Sequence, residues 1–228
     1  NLCVLTYGLQ IGWVSPMSVI LQSDLSPTGN VMSTTAISWI GSITSLAASF
    51  GVQIFGYLAD SYGRKVAVLA LSVPQALCWL LKLSSANTTI IVIARIFSGL
   101  SAGGCYVIVP MYVKEISQDN IRGILVSLVT MSQNMGVLLM YILGTYLSYF
   151  AAIYSVIWLP LLTFLLLLKA PESPAYLMKI GKVNEATAIT ASIRGLNMED
   201  ERVIKEIESL KNQDLQFKSL PNVSFISI

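Results

Sequence analysis

The sequence predicts an all-α membrane protein: six membrane-spanning helices over 1–168, followed by a cytoplasmic segment of amphipathic helices and linker over 169–228. Three observations carry this. Of the 228 residues, 54% are hydrophobic and 11% charged, with mean hydropathy +0.70, whereas soluble domains carry about 25% charged residues. The few charges before residue 169 sit almost entirely in short breaks between apolar runs, each long enough for the roughly 20 residues that a spanning helix needs. Lysine and arginine favour every second break, as a positive-inside bias requires.

The spans follow in order. Residues 1–23 carry no charge and form the first. Asp24 follows in a Ser/Pro/Gly-rich loop ending near Ser33, and the next charge, Asp60, leaves room for a second span over about 35–58. The third runs over about 66–83, between Lys65 and Ser84-Ser85-Ala86-Asn87. The fourth, about 89–112, contains one charge, Arg95. Gly123 to Leu168 is 46 positions without a charge. That is too long for one helix, so it divides into spans over about 124–146 and 150–168 with a turn near Ser148-Tyr149. Arg64 and Lys65 follow span two, Lys114 and Arg122 follow span four, and eight basic residues follow span six. The opposite-side breaks hold only Lys82, so both ends are expected in the cytoplasm. The chain starts at Asn1 inside an apolar stretch and stops at Ile228 without a helix stop signal, and reads as a fragment.

Residues 169–228 contain eight basic and eight acidic residues. Val183 to Arg194 reads as a helix stopped by Gly195. A second helix starts near Asn197 as N-cap, with Glu199, Asp200 and Glu201 in the first turn, where the helix dipole favours anions. Val203, Ile204, Ile207 and Leu210 line one face, and Glu201 and Lys205 form an i,i+4 pair. The polar face is too acidic for anionic headgroups, so this helix is expected to pack on protein.

Composition also excludes chemistry. With no histidine in the chain, Ser-His hydrolysis and HExxH zinc proteolysis are out. Cys3, Cys78 and Cys105 all lie in apolar runs and read as small core residues rather than a disulfide framework. No basic patch points to nucleic acid. No cofactor and no metal are expected.

Four motifs remain. The break after span two reads Gly56-Tyr57-Leu58-Ala59-Asp60-Ser61-Tyr62-Gly63-Arg64-Lys65. Span four reads Arg95-Ile96-Phe97-Ser98-Gly99, then Gly103, then Val109-Pro110-Met111-Tyr112-Val113-Lys114-Glu115, followed by Arg122-Gly123. After span six comes Pro171-Glu172-Ser173-Pro174-Ala175-Tyr176-Leu177. In this order they resemble the sugar porters of the major facilitator superfamily. The resemblance covers the whole chain but only the first six of the family's twelve spans. It implies a membrane carrier rather than an enzyme, with a sugar as substrate, the bilayer as surroundings and a second six-helix half as partner.

Charges beside hydrocarbon must be paired or solvated. Asp60, Arg64, Glu115, Arg122 and Glu172 read either as topology signals with solvated charges or as an ion-pair cluster that closes an inner gate; the resemblance favours the gate. Gly56, Gly63 and Pro110 belong to the same motifs as structural positions. Gly99, Gly103 and Gly104 let helices approach closely. Arg95 must face protein or water. Proton-driven sugar porters pair it with an aspartate in span one; here that position, in Gly8-Leu9-Gln10-Ile11-Gly12-Trp13-Val14, is Val14. Its loss argues for facilitated diffusion over proton symport, and a non-transporting sensor remains a rival.

Thr130, Gln133 and Asn134 share one face of span five, either as sugar ligands or as interhelical hydrogen-bond partners. Gln10, Gln53 and Trp13 are further cavity candidates. The Trp-x-Ser-Pro wording at Trp13 and Ser38-Trp39-Ile40-Gly41 look most like the facilitated trehalose transporters of arthropods, so trehalose or a hexose is the expected substrate, at the plasma membrane. Asn87-Thr88-Thr89 is an outer-side glycosylation sequon on a short loop; Asn222-Val223-Ser224 would be cytoplasmic and unmodified.

Overall fold

Pro16 shapes the first span. Its ring leaves no N–H to donate to the Gly12 carbonyl, so the helix divides into α1 (Leu2–Gly12) and α2 (Val14–Leu21) around Trp13. The structure, a computed structural model, describes residues 1–24, 26–27, 31–118 and 120–219. The sequon at Asn222 lies outside the described residues.

Ser33 opens α3 (Thr34–Tyr62), its hydroxyl accepting the Ala36 N–H at 3.2 Å. This helix does not end at 58. It carries Asp60 in its last turn and stops only at Gly63, whose φ of 106° suits glycine and few other residues. The polar break is thus a single residue, and α4 (Arg64–Ser84) starts at once. Asn87 caps α5 (Thr88–Ile116), its side-chain oxygen accepting the Thr89 N–H at 3.1 Å. Next come α6 (Arg122–Tyr146), α7 (Tyr149–Val156) and α8 (Leu159–Leu168), with Pro160 in the first turn of α8 dividing the last span as Pro16 divides the first. Among the described residues, six helical stretches are long and apolar enough to cross a membrane.

Missing side chains hold the bundle together. A Cβ on Gly99 would collide with Thr44 and Ala47, and one on Gly103 with Ala48 and Val52, so α5 lies backbone-close on α3. Gly8, Gly12 and Gly136 do the same for α1 and α6, against Gln133, Val137 and Leu5. Gly104 instead makes room for Leu71 of α4 and Phe55 of α3. Gly56 differs, because a Cβ there would meet nothing within 4 Å. Two apolar clusters stack along the bundle. One surrounds Tyr7, Phe55, Leu71 and Ile108 toward the Arg64 end; the other surrounds Trp13, Ile40, Trp79 and Ile153 toward the opposite end.

Asn1–Ala170 forms one unit and a second begins at Pro171. The second contains α9 (Pro174–Lys179), α10 (Val183–Arg194) and α11 (Glu201–Ser219). Ser173 caps α9 through the Tyr176 N–H, and Gly195 ends α10 in the left-handed region, φ 65°. Leu177, Met178 and Ala186 form a small core with Ile189, Ile207 and Leu210 against it. Arg194 and Glu206 pair at 2.6 Å. Two expectations need correction. Asp200, not Asn197, bonds the first turn of α11, through the Arg202 N–H at 2.9 Å, and Ile204 is exposed rather than on the packed face.

Candidate functional site

Gly63 reverses the chain so that the first side chain of α4 returns to the end of α3. There the Arg64 guanidinium meets the negative end of the helix dipole. Its Nη1 donates to the Ala59 carbonyl at 3.0 Å and to Asp60 Oδ1 at 3.3 Å. Its Nε donates to both oxygens of Glu115, in the last turn of α5, at 3.1 and 3.2 Å. Three helix ends are thereby tied by one cation. Arg64 is 9% exposed, and the Glu115 side chain 16% against 62% for Asp60. The Glu115 bond is therefore the desolvated one, and Asp60 is a rim partner. Beside it Lys65 Nζ donates to the Leu168 carbonyl at 2.9 Å, and Arg122 Nε to the Lys114 carbonyl at 3.2 Å. Glu172 belongs to the second unit, where its carboxylate accepts the Ser173 N–H at 2.9 Å.

A second group of polar residues lies at mid-bundle. Thr130 and Asn134 are exposed on α6 and Gln133 is half-buried beside them. Gln133 Nε2 donates to the phenol of Tyr106, on α5, at 3.0 Å. Tyr106 is 56% exposed and its ring stands edge-on to Tyr7 of α1, centroids 5.7 Å apart. Exposed amides and hydroxyls at this depth are incompatible with lipid, which satisfies no polar group. This face must therefore look onto protein or water. Gln53 of α3 is also exposed. Gln10 and Trp13 are not on this face: both are fully buried.

Gln10 belongs instead to a buried network. Its Nε2 donates to the Gln75 carbonyl at 3.2 Å. Gln75 accepts from the Thr6 hydroxyl at 2.5 Å and donates to the Cys3 carbonyl and Cys105 Sγ at 3.1 and 3.5 Å. Gln75 was legible only as a lone amide beside Pro74 in an apolar run. Arg95 is buried too, and among the described residues no carboxylate meets it. Its Nη1 donates to the Gln10 carbonyl at 2.8 Å and its Nε to the Ile40 carbonyl at 3.1 Å. Lys82 is not in a loop but fully buried in the last turn of α4, beside the cluster around Trp13 and Trp79. Its ammonium lies 4.0 Å from the Trp13 ring centroid and 4.5 Å from that of Trp79, close enough for cation–π attraction.

The described residues thus form a bundle of membrane-length helices with an exposed polar strip at mid-bundle and charged pairs at one end. The chain belongs to the sugar (and other) transporter family, whose model matches residues 2–225. Among relatives it is similar to the facilitated trehalose transporter Tret1 of Bombyx mori, 28% identical over 200 residues that cover 88% of this chain and 39% of that protein. The Tret1-2 homolog of Drosophila simulans is 28% identical over 91% of this chain and 42% of its own. The chain thus spans about two fifths of these relatives. Among solved structures, the proton:xylose symporter XylE of the major facilitator superfamily, bound to 6-bromo-6-deoxy-D-glucose, superposes with a TM-score of 0.77 at 19% identity, covering 97% of this chain and 54% of that one. The partially occluded inward-open conformation of XylE from E. coli gives 0.75 at 21%, covering 96% and 58%. The fold is that of a major facilitator six-helix unit.

Proposed function

We propose that this chain forms the first six-helix half of a plasma-membrane carrier that moves trehalose or a hexose by facilitated diffusion. The observation that carries the reading is the exposed polar strip of Thr130, Gln133, Asn134 and Tyr106 on membrane-length helices of a sugar-transporter family member. Hydroxyls and amides suit a neutral polyol, and a second six-helix half would supply the facing wall. The two halves would rock about the sugar, exposing it to each side in turn. Gln10 and Trp13, buried in this half, drop out of the proposed sugar ligands, and Gln10 instead braces α1 against α4.

Arg64, Glu115 and Asp60 would form the inner gate, with Arg122 as a further member; both ends of the unit would lie in the cytoplasm. Ion pairs at a membrane edge suit a gate because their Coulomb gain nearly cancels their desolvation cost. Val14 and Arg95 support uniport. Where proton-driven relatives would hold an aspartate there is a valine, and the Arg95 guanidinium donates instead to two main-chain carbonyls. No titrating partner is needed to keep it buried. Uptake of labelled trehalose and glucose, with and without a protonophore, tests this. Saturable uptake indifferent to the protonophore supports uniport; abolished uptake makes the carrier a proton symporter.

A further inference from the structure

Tyr106 is the one large aromatic of the polar strip, and no motif singles it out. From the Arg64 end it lies ten residues inside α5, and Gln133 lies eleven residues inside α6. At about 1.5 Å per residue both stand roughly 15 Å deep, near the middle of a hydrocarbon core about 30 Å thick. That is the level at which an alternating-access carrier holds its substrate.

The pair is a built one. Gly8 has no Cβ, so the Gln133 backbone rests directly on α1 and its amide comes within reach of α5. The Tyr106 ring is braced edge-on by Tyr7, itself 5% exposed. Gln133 Nε2 donates to the phenol oxygen at 3.0 Å. This bond turns the phenol's own proton away from Gln133. The phenol also interacts with the Tyr7 side chain, which holds it from a second side, and Gln133 Oε1 is left as an acceptor beside it. A donor and an acceptor stand side by side beside an exposed ring face. Adjacent hydroxyls of a pyranose match the first two, and its C–H face matches the third.

We propose that Tyr106, oriented by Gln133 and Tyr7, is a sugar-specificity residue: its phenol donates to one substrate hydroxyl while its ring covers the neighbouring C–H face. This rests on the sugar-carrier reading and adds the residue that selects within it.

The test is uptake kinetics for the full-length protein in oocytes, with glucose, trehalose and a set of monodeoxyglucoses as competitors. In the wild type, removing the hydroxyl that meets Tyr106 should raise the inhibition constant about three- to tenfold, the range expected of one neutral hydrogen bond. Tyr106→Phe should erase that one penalty, leave the penalties at other positions, and raise KM by a similar factor. Tyr106→Ser, which also removes the ring, should raise KM about tenfold or more. Gln133→Met should reproduce part of the Tyr106→Phe effect, because the phenol loses its orienting bond. KM and competitor ratios do not depend on how much carrier reaches the surface, so poor expression of the serine variant leaves the phenylalanine variant decisive. Sugar uptake with every deoxy penalty intact in Tyr106→Phe overturns this inference alone. No uptake of any sugar by the wild type overturns the sugar-carrier reading and this inference with it.

Discussion

Arg64 shows how much one side chain can organise. It joins the ends of α3, α4 and α5 through Ala59, Asp60 and Glu115. Glu115→Gln should lower maximal uptake about tenfold, equivalent to about 1.4 kcal/mol, while Asp60→Asn, on the solvated rim, should have a smaller effect. Uptake normalised to surface abundance distinguishes the two; equal effects would contradict the ranking. Lys82 makes a different prediction. Its ammonium is fully buried with no well-formed hydrogen bond among the described residues, and two indole faces and the nearby Cys78 side chain only partly offset its desolvation. Lys82→Met keeps the length and suits the aromatic cage, so the purified carrier should melt at a higher temperature, or at least no lower. Asn87, meanwhile, uses its side-chain oxygen as the cap of α5. The loop that carries it is only residues 85–87, which keeps Asn87 close to the membrane face, so endoglycosidase treatment should leave the protein's mobility unchanged. Residues of this kind are hard to read from sequence. Lys82 looks like a loop charge because a linear chain does not show Trp13, and Tyr106 and Gln75 are single polar groups in apolar runs whose partners lie tens of residues away.

Helices were more legible than their ends. Charge segregation marks apolar stretches because hydrocarbon tolerates few charges. It does not mark helix termini, because a charged residue at the membrane edge can remain helical. Asp60 and Lys114 therefore sit inside α3 and α5 rather than in loops. The proline breaks at Trp13 and Ile157–Trp158 were written in Pro16 and Pro160 but masked by continuous apolarity. The crossing of α3 and α5 rests on absent side chains, and two glycines test it by contrast. Gly103→Ala should destabilise by about 1–3 kcal/mol and visibly lower the melting temperature. Gly56→Ala, where a Cβ meets open space, should leave it within error. If Gly56→Ala nevertheless slows uptake, Gly56 acts against the facing half rather than within this bundle.

The whole bundle presents one face that neither lipid nor its own core can satisfy. The order of the four motifs made the family readable, because each carries charged or glycine positions that membrane physics already restricts. The inner polar strip was only partly readable: Thr130, Gln133 and Asn134 follow from helical spacing, whereas Tyr106 enters only through the approach of α5 to α6. Facilitated sugar movement is the central claim, and uptake measures it most directly. Oocytes expressing the full-length protein should take up labelled trehalose or glucose saturably, to the same extent with and without a protonophore. Uptake of neither sugar would contradict the account, and uptake abolished by the protonophore would contradict its uniport mechanism.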